Sequence, residues 1–136
     1  MSIVPVIVPI YAALLGLLFI VLSIRVTKTR RQARVAVGDG GNPQLQRAIG
    51  VHNNFAQYVP LTLLLLAFCE MQQAPAILVH LLCLALLLGR LLHAYGVSQM
   101  HENFRFRVTA LLLTFGVIGL SALYLLGMAA YHAAGL

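Results

Sequence analysis

Four apolar stretches, near residues 3–24, 51–69, 75–95 and 108–132, occupy most of this 136-residue chain. Each approaches the ~20 residues that a helix needs to cross ~30 Å of hydrocarbon. The stretches set the fold class as all-α, an integral membrane four-helix bundle forming a single domain over residues 1–136. Composition agrees, with 61% of residues apolar and 9% charged. Soluble domains run at about 45–50% and about 25%. Disorder is excluded because it needs low hydrophobicity. Nine Lys and Arg against three acids give a net charge of +6, but in so apolar a chain the partner of that charge is a membrane surface, not nucleic acid.

The first stretch does not read as a removable leader, because its basic residues follow the apolar run. Pro5 and Pro9 are expected in the first turns of span one and Pro75 at the opening of span three, while Pro60, inside span two, is the one proline expected to kink a helix interior, freeing a carbonyl near Ala56. The run Val37-Gly38-Asp39-Gly40-Gly41-Asn42-Pro43 is the strong breaker cluster. Pro43 fits the first position of a long second helix that begins before the membrane does.

Charge is distributed unevenly among the connections. Arg25, Lys28, Arg30, Arg31, Arg34 and Arg47 lie between spans one and two, Glu70 alone between two and three, and Arg105 and Arg107 between three and four. The positive-inside rule therefore places the first and third connections in the cytoplasm and both termini outside.

In that orientation the polar residues gather on one membrane face. Arg47, His52, Asn53, Asn54 and Gln57 occupy the cytoplasmic part of helix two. Arg90, His93 and Tyr95 occupy the end of helix three, and Arg105 and Arg107 lead into helix four. Steps of three and four put Arg47, Gly50, Asn54 and Gln57 on one stripe while His52 points elsewhere, and Arg90 and His93 share a face. Polar groups at membrane depth are costly unless they face a protein interior or a wet cavity, so the cluster is a candidate site for a polar anion.

Structural readings stand beside this one. Topology and attraction to anionic headgroups are sufficient for Arg25 and Lys28 and compete with a ligand role for Arg30 and Arg31. Asn54 and Gln57 suit hydrogen bonds across helices, Arg90 can snorkel, and His93 and Tyr95 fit an interfacial belt. The five histidines lack an i, i+4 pair, which argues against a metal site. Cys69 and Cys83 read as small hydrophobes.

The segment Arg47-Ala48-Ile49-Gly50-Val51-His52-Asn53-Asn54-Phe55-Ala56-Gln57-Tyr58-Val59-Pro60 resembles the helix-two signature of the MAPEG superfamily, the membrane-associated proteins in eicosanoid and glutathione metabolism. Arg30-Arg31-Gln32-Ala33-Arg34 and Arg90-Leu91-Leu92-His93 extend the match. The Gly38-Asp39-Gly40-Gly41 loop and Leu88 to Gly96 look like its bacterial branch, whose setting is the inner membrane.

The resemblance implies a homotrimer with glutathione as the bound thiol substrate, held between neighbouring subunits near the cytoplasmic face. Carried over, Arg30 or Arg31, Asn54, Gln57, Arg90, His93 and Tyr95 would bind it, Arg47 would supply the clamp missing at Gly50, and Arg107 or Arg105 would stabilise its thiolate, with Arg107 favoured as nearer the apolar run. Guanidinium groups clamp carboxylates through paired hydrogen bonds, and a cation near sulfur favours the attacking thiolate. A small lipophilic electrophile or hydroperoxide would arrive from membrane lipid. Gln57 stands where the family usually has an acid, and Gly50 where the eicosanoid enzymes have an arginine.

Three function classes follow: a glutathione-dependent membrane transferase or peroxidase, a non-catalytic lipid- or thiol-binding protein on the same scaffold, and a small transporter. The third ranks last because no acid lies mid-span to couple substrate to protons.

Overall fold

A computed structural model describes residues 4–135. The described chain is all-α: α1 spans Ile7–Ala33, α2 Pro43–Met71, α3 Ala76–Ser98 and α4 Phe104–Ala133. All four are long and apolar enough to cross a membrane. They run up and down, with α2 and α3 central. Helix α1 packs on both central helices, α4 packs on both from another side, and α1 does not meet α4. Leu15 and Leu22 of α1, Val51, Phe55, Val59 and Leu66 of α2, Val79 and Leu86 of α3, and Val117 of α4 form the buried core. Rows of exposed Leu, Ile, Val and Phe face outward, as a bundle solvated by lipid requires.

Helix α2 begins as its sequence indicates. Asn42 is the N-cap, its Oδ1 accepting from Leu45 N at 3.0 Å, and Pro43 is the first helical residue. The preceding loop turns at Gly38, Gly40 and Gly41, all with positive φ. The helix then runs unbroken through Pro60, and Thr62 Oγ1 donates to Tyr58 O at 2.6 Å.

Two expected boundaries move. Pro5 lies before α1, which starts at Ile7, so only Pro9 sits in the first turn. At its other end α1 continues beyond residue 24 to Ala33, because hydropathy marks where lipid contact ends and not where the backbone stops being helical. Arg34, in the left-handed region at φ 54°, ends it.

Glu70 ties the opposite end of the bundle together. Its carboxylate accepts from three backbone N–H groups at the start of α1: Val6 at 2.6 Å, Ile7 at 2.7 Å and Val8 at 2.9 Å. Helix N-terminal N–H groups lack intrahelical partners and carry partial positive charge, so one carboxylate from α2 supplies the cap that Val6 cannot. Replacing Glu70 by Ala is expected to cost about 1–2 kcal/mol, read as a lower thermal unfolding midpoint in detergent. An unchanged midpoint contradicts the capping role.

At the other end, two glycines let α4 approach α3. A Cβ at Gly96 would lie 2.7 Å from Phe106 Cβ, and one at Gly89 would lie 3.2 Å from Ala110 O. This contact fixes the register of α4 against α3 and so positions the site.

Candidate functional site

Arg90 lies in the interior of α3 and is 1% exposed. A cation there requires partners. Nη1 donates to Asn54 Oδ1 of α2 at 2.6 Å, and Nη2 donates to Thr114 Oγ1 of α4 at 2.6 Å and to Ala110 O at 3.4 Å. Thr114 Oγ1 in turn donates to Ala110 O at 3.0 Å. All these partners are neutral. The Nε of Arg90 is buried without a partner among the described residues. Three helices thus hold a guanidinium whose charge no carboxylate among the described residues balances.

One turn along α3, His93 is buried and lines a cavity of about 190 Å³ with Gly50, Asn54, Val97, Arg107 and Leu111. A second cavity of about 440 Å³ adjoins it, sharing Gly50, Val97 and Arg107 and reaching Arg47, Glu102 and Phe104. Together they make a groove between the start of α2, the end of α3 and the start of α4. The absent side chain of Gly50 leaves room on its α2 wall, where nothing lies within 4 Å of a built Cβ.

Arginines from α2 and α4 meet at the groove on one acid. Arg47 Nη1 lies 3.1 Å from Glu102 Oε2 and also donates to Val97 O at 3.0 Å. Arg107 Nη2 donates to Glu102 Oε2 at 2.9 Å, with its Nε 2.8 Å from Oε1.

A single chain therefore brings together Arg47, Asn54, Arg90, His93 and Arg107 of the residues singled out from sequence. The other five lie elsewhere. Arg30 Nη1 donates to Gly38 O at 2.7 Å and to Val35 O at 3.3 Å, fastening the α1–α2 loop. Arg31 is exposed beside Ser23, Thr27, Lys28 and Gln32 on α1. Gln57 is exposed on α2, although it belongs to the stripe of Asn54. Tyr95 points outward and meets Phe106 edge-on, with ring centroids 5.6 Å apart. Arg105 is exposed on the first turn of α4, two residues from Arg107 and off the groove.

His52 points away from the groove, as the periodicity indicates. It stacks on Phe19 at 4.8 Å and lies 3.2 Å from Ser23 Oγ through Nε2. Cys69 and Cys83 are buried, free thiols. Sequence reasoning missed Thr114 and Glu102. Thr114 has a readable signal, being seven residues from Arg107 on one α4 face, whereas Glu102, an acid in the α3–α4 connection, has no such spacing to mark it. Arg25, for which topology and headgroup attraction are sufficient in the sequence, also hydrogen-bonds Ser98 Oγ and joins α1 to α3.

Comparison with known proteins agrees with this architecture. The MAPEG family model matches residues 8–129. The chain is 44% identical over 98 residues to the inner membrane protein YecN of Escherichia coli strain K12, covering 72% of this chain and 73% of that protein. It matches YecN of Escherichia coli O6:H1 strain CFT073 equally, at 44% over 98 residues and the same coverage. With four membrane-length helices, a family match over nearly its whole length and bacterial relatives at this identity, the chain belongs to the MAPEG family.

Proposed function

We propose that the protein is a glutathione-dependent membrane transferase or peroxidase acting on lipophilic electrophiles. The observation that carries this reading is the convergence of Arg107, His93 and Asn54 on one groove beside the uncompensated charge of Arg90. The basic connections favour a cytoplasmic location for the groove, with both termini periplasmic, and the inner-membrane relatives favour that membrane.

The residues present fit glutathione in size and charge. The larger of the two adjoining cavities, about 440 Å³, falls in the range of small-molecule sites, about 300–1,000 Å³, and the smaller, about 190 Å³, extends it toward His93. Guanidinium groups of Arg47 and Arg107 match carboxylates, and the tightly held Arg90 adds positive potential without moving. Bound there, glutathione would supply the thiol nucleophile. Arg107, reaching both cavities, would hold the sulfur as thiolate and stabilise negative charge as the reaction proceeds. Asn54, fixed by Arg90, would orient the peptide, and the apolar wall at Val97 and Leu111 would receive the lipophilic partner.

Assembly as a homotrimer belongs to this proposal. A neighbouring copy against the exposed apolar faces would give Arg30, Arg31, Gln57 and Tyr95 a place at a shared site that a single chain does not give them. A second reading, non-catalytic binding of a thiol or lipid on the same scaffold, draws support from Glu102 on Arg107 and from Gln57 in place of an acid.

Turnover in liposomes separates the two. Reconstituted protein with glutathione and either a hydrophobic aryl halide or a fatty-acid hydroperoxide is expected to give a rate that saturates in both reactants. A rate equal to that of protein-free liposomes across both electrophile classes favours the non-catalytic reading.

A further inference from the structure

Glu102 stands in the short connection between α3 and α4, and its side chain is only 5% exposed. It is the one acid near the groove, since Asp39 lies in the α1–α2 loop and Glu70 caps the far end of α1. Its two arginines are used differently. Arg47 is also committed to backbone oxygens, at 3.0 Å to Val97 O and 3.5 Å to Met100 O. Arg107 hydrogen-bonds nothing but Glu102 among the described residues, and its Nε and Nη2 edge faces that carboxylate with one hydrogen bond made, Nη2 to Oε2, while Nε lies 2.8 Å from Oε1 as a charge contact that leaves Oε1 without a hydrogen bond. That edge is the one a guanidinium uses to bind a carboxylate through two contacts.

We infer that Glu102 is an internal carboxylate latch that occupies the anion-binding edge of Arg107 until a ligand anion displaces it. The inference rests on the reading of the groove as a glutathione site and specifies how that site is regulated. A ligand carboxylate or thiolate and the Glu102 carboxylate make the same demand on Arg107, and one edge accommodates one anion. Displacement does not strand Glu102 as a bare buried charge, because Arg47 stays within 3.1 Å of it. With both arginines on one acid the cluster keeps a single net positive charge, so the latch also weakens the potential that Arg107 exerts on a bound sulfur.

A simple staple between α2 and α4 would have the opposite signature, because loosening a staple that shapes the groove weakens binding. Isothermal titration of the wild type and Glu102→Gln with glutathione, and with a glutathione analogue lacking the thiol, distinguishes them. Both proteins are first checked for monodisperse elution and a cooperative melt in the same detergent. The latch gives about fivefold tighter binding of both ligands in Glu102→Gln, a modest gain because the arginines are partly solvent-screened. It also gives a lower apparent pKa of the bound thiol by ultraviolet absorbance, which a structural role alone would not move.

If Glu102→Gln does not fold, Glu102→Asp decides, since its side chain keeps the charge but is one methylene too short to hold both arginines; it too is expected to bind more tightly than the wild type. Wild-type binding with equal or weaker binding in the folded variants overturns the latch and leaves the glutathione reading standing. Binding by the variants alone supports the latch in its strongest form. Absence of binding in every protein overturns both.

Discussion

Replacing Arg107 by Ala is expected to lower turnover about 100-fold or more, the effect of removing one preorganised donor from a developing negative charge. The loss should fall mainly on kcat, and the apparent pKa of the bound thiol should rise, because the groove then lacks the cation nearest both cavities. Arg105→Ala, two residues away and exposed, should change little. The pair of variants separates a local role from general loss of basic charge at the start of α4. If bound-thiolate absorbance and turnover survive both replacements, neither arginine is the thiolate-stabilising group.

The second large effect concerns stability, and its ordering is unusual. Asn54→Ala or Thr114→Val deprives the buried Arg90 of a 2.6 Å acceptor. Hydrogen bonds to charged groups contribute about 1.5–3 kcal/mol, and a buried charge left short of partners adds its own penalty. Arg90→Met removes every one of those bonds but also the charge, at similar volume, and should cost less than either single loss of an acceptor. All three variants should bind glutathione poorly. Thermal unfolding in one detergent measures the order, and an Arg90→Met variant less stable than Asn54→Ala would mean that Arg90 serves chiefly to hold the helices together.

How much of this was legible in the sequence follows from what each signal reports. Hydropathy gave four spans, and Asn42-Pro43 gave the start of α2, because caps and prolines act locally. The end of α1 was misplaced by nine residues, from 24 to Ala33, since Arg25, Lys28, Arg30 and Arg31 leave the hydrocarbon while remaining helical. Within the site, Arg90 stands out by depth, where polar groups are expensive, whereas Asn54 is singled out as a ligand residue by the family resemblance.

Thr114 shares a face of α4 with Arg107, but that spacing does not show that this face meets Arg90, and Glu102 carries no periodic signal, because both roles depend on the register of α4 against α3, set by close contacts at Gly89 and Gly96. No single-helix periodicity contains that register. Arg30 and Arg31 fall outside the single-chain groove for a related reason. Helix α1 does not pack on α4, so Arg30 and Arg31 at its basic end do not line the groove at Arg107. Gln57 shows the limit of a stripe argument: it lies three residues from Asn54, yet faces outward where Asn54 turns toward Arg90.

The central claim, a groove that reads the glutathione peptide, is tested most directly by isothermal titration of the detergent-purified protein with glutathione and with its thiol-free analogue. Saturable binding of both is expected, since Arg47 and Asn54 line the groove beside Arg107 and address the peptide's polar groups and not the sulfur alone. Absence of binding of either ligand into the millimolar range would contradict it.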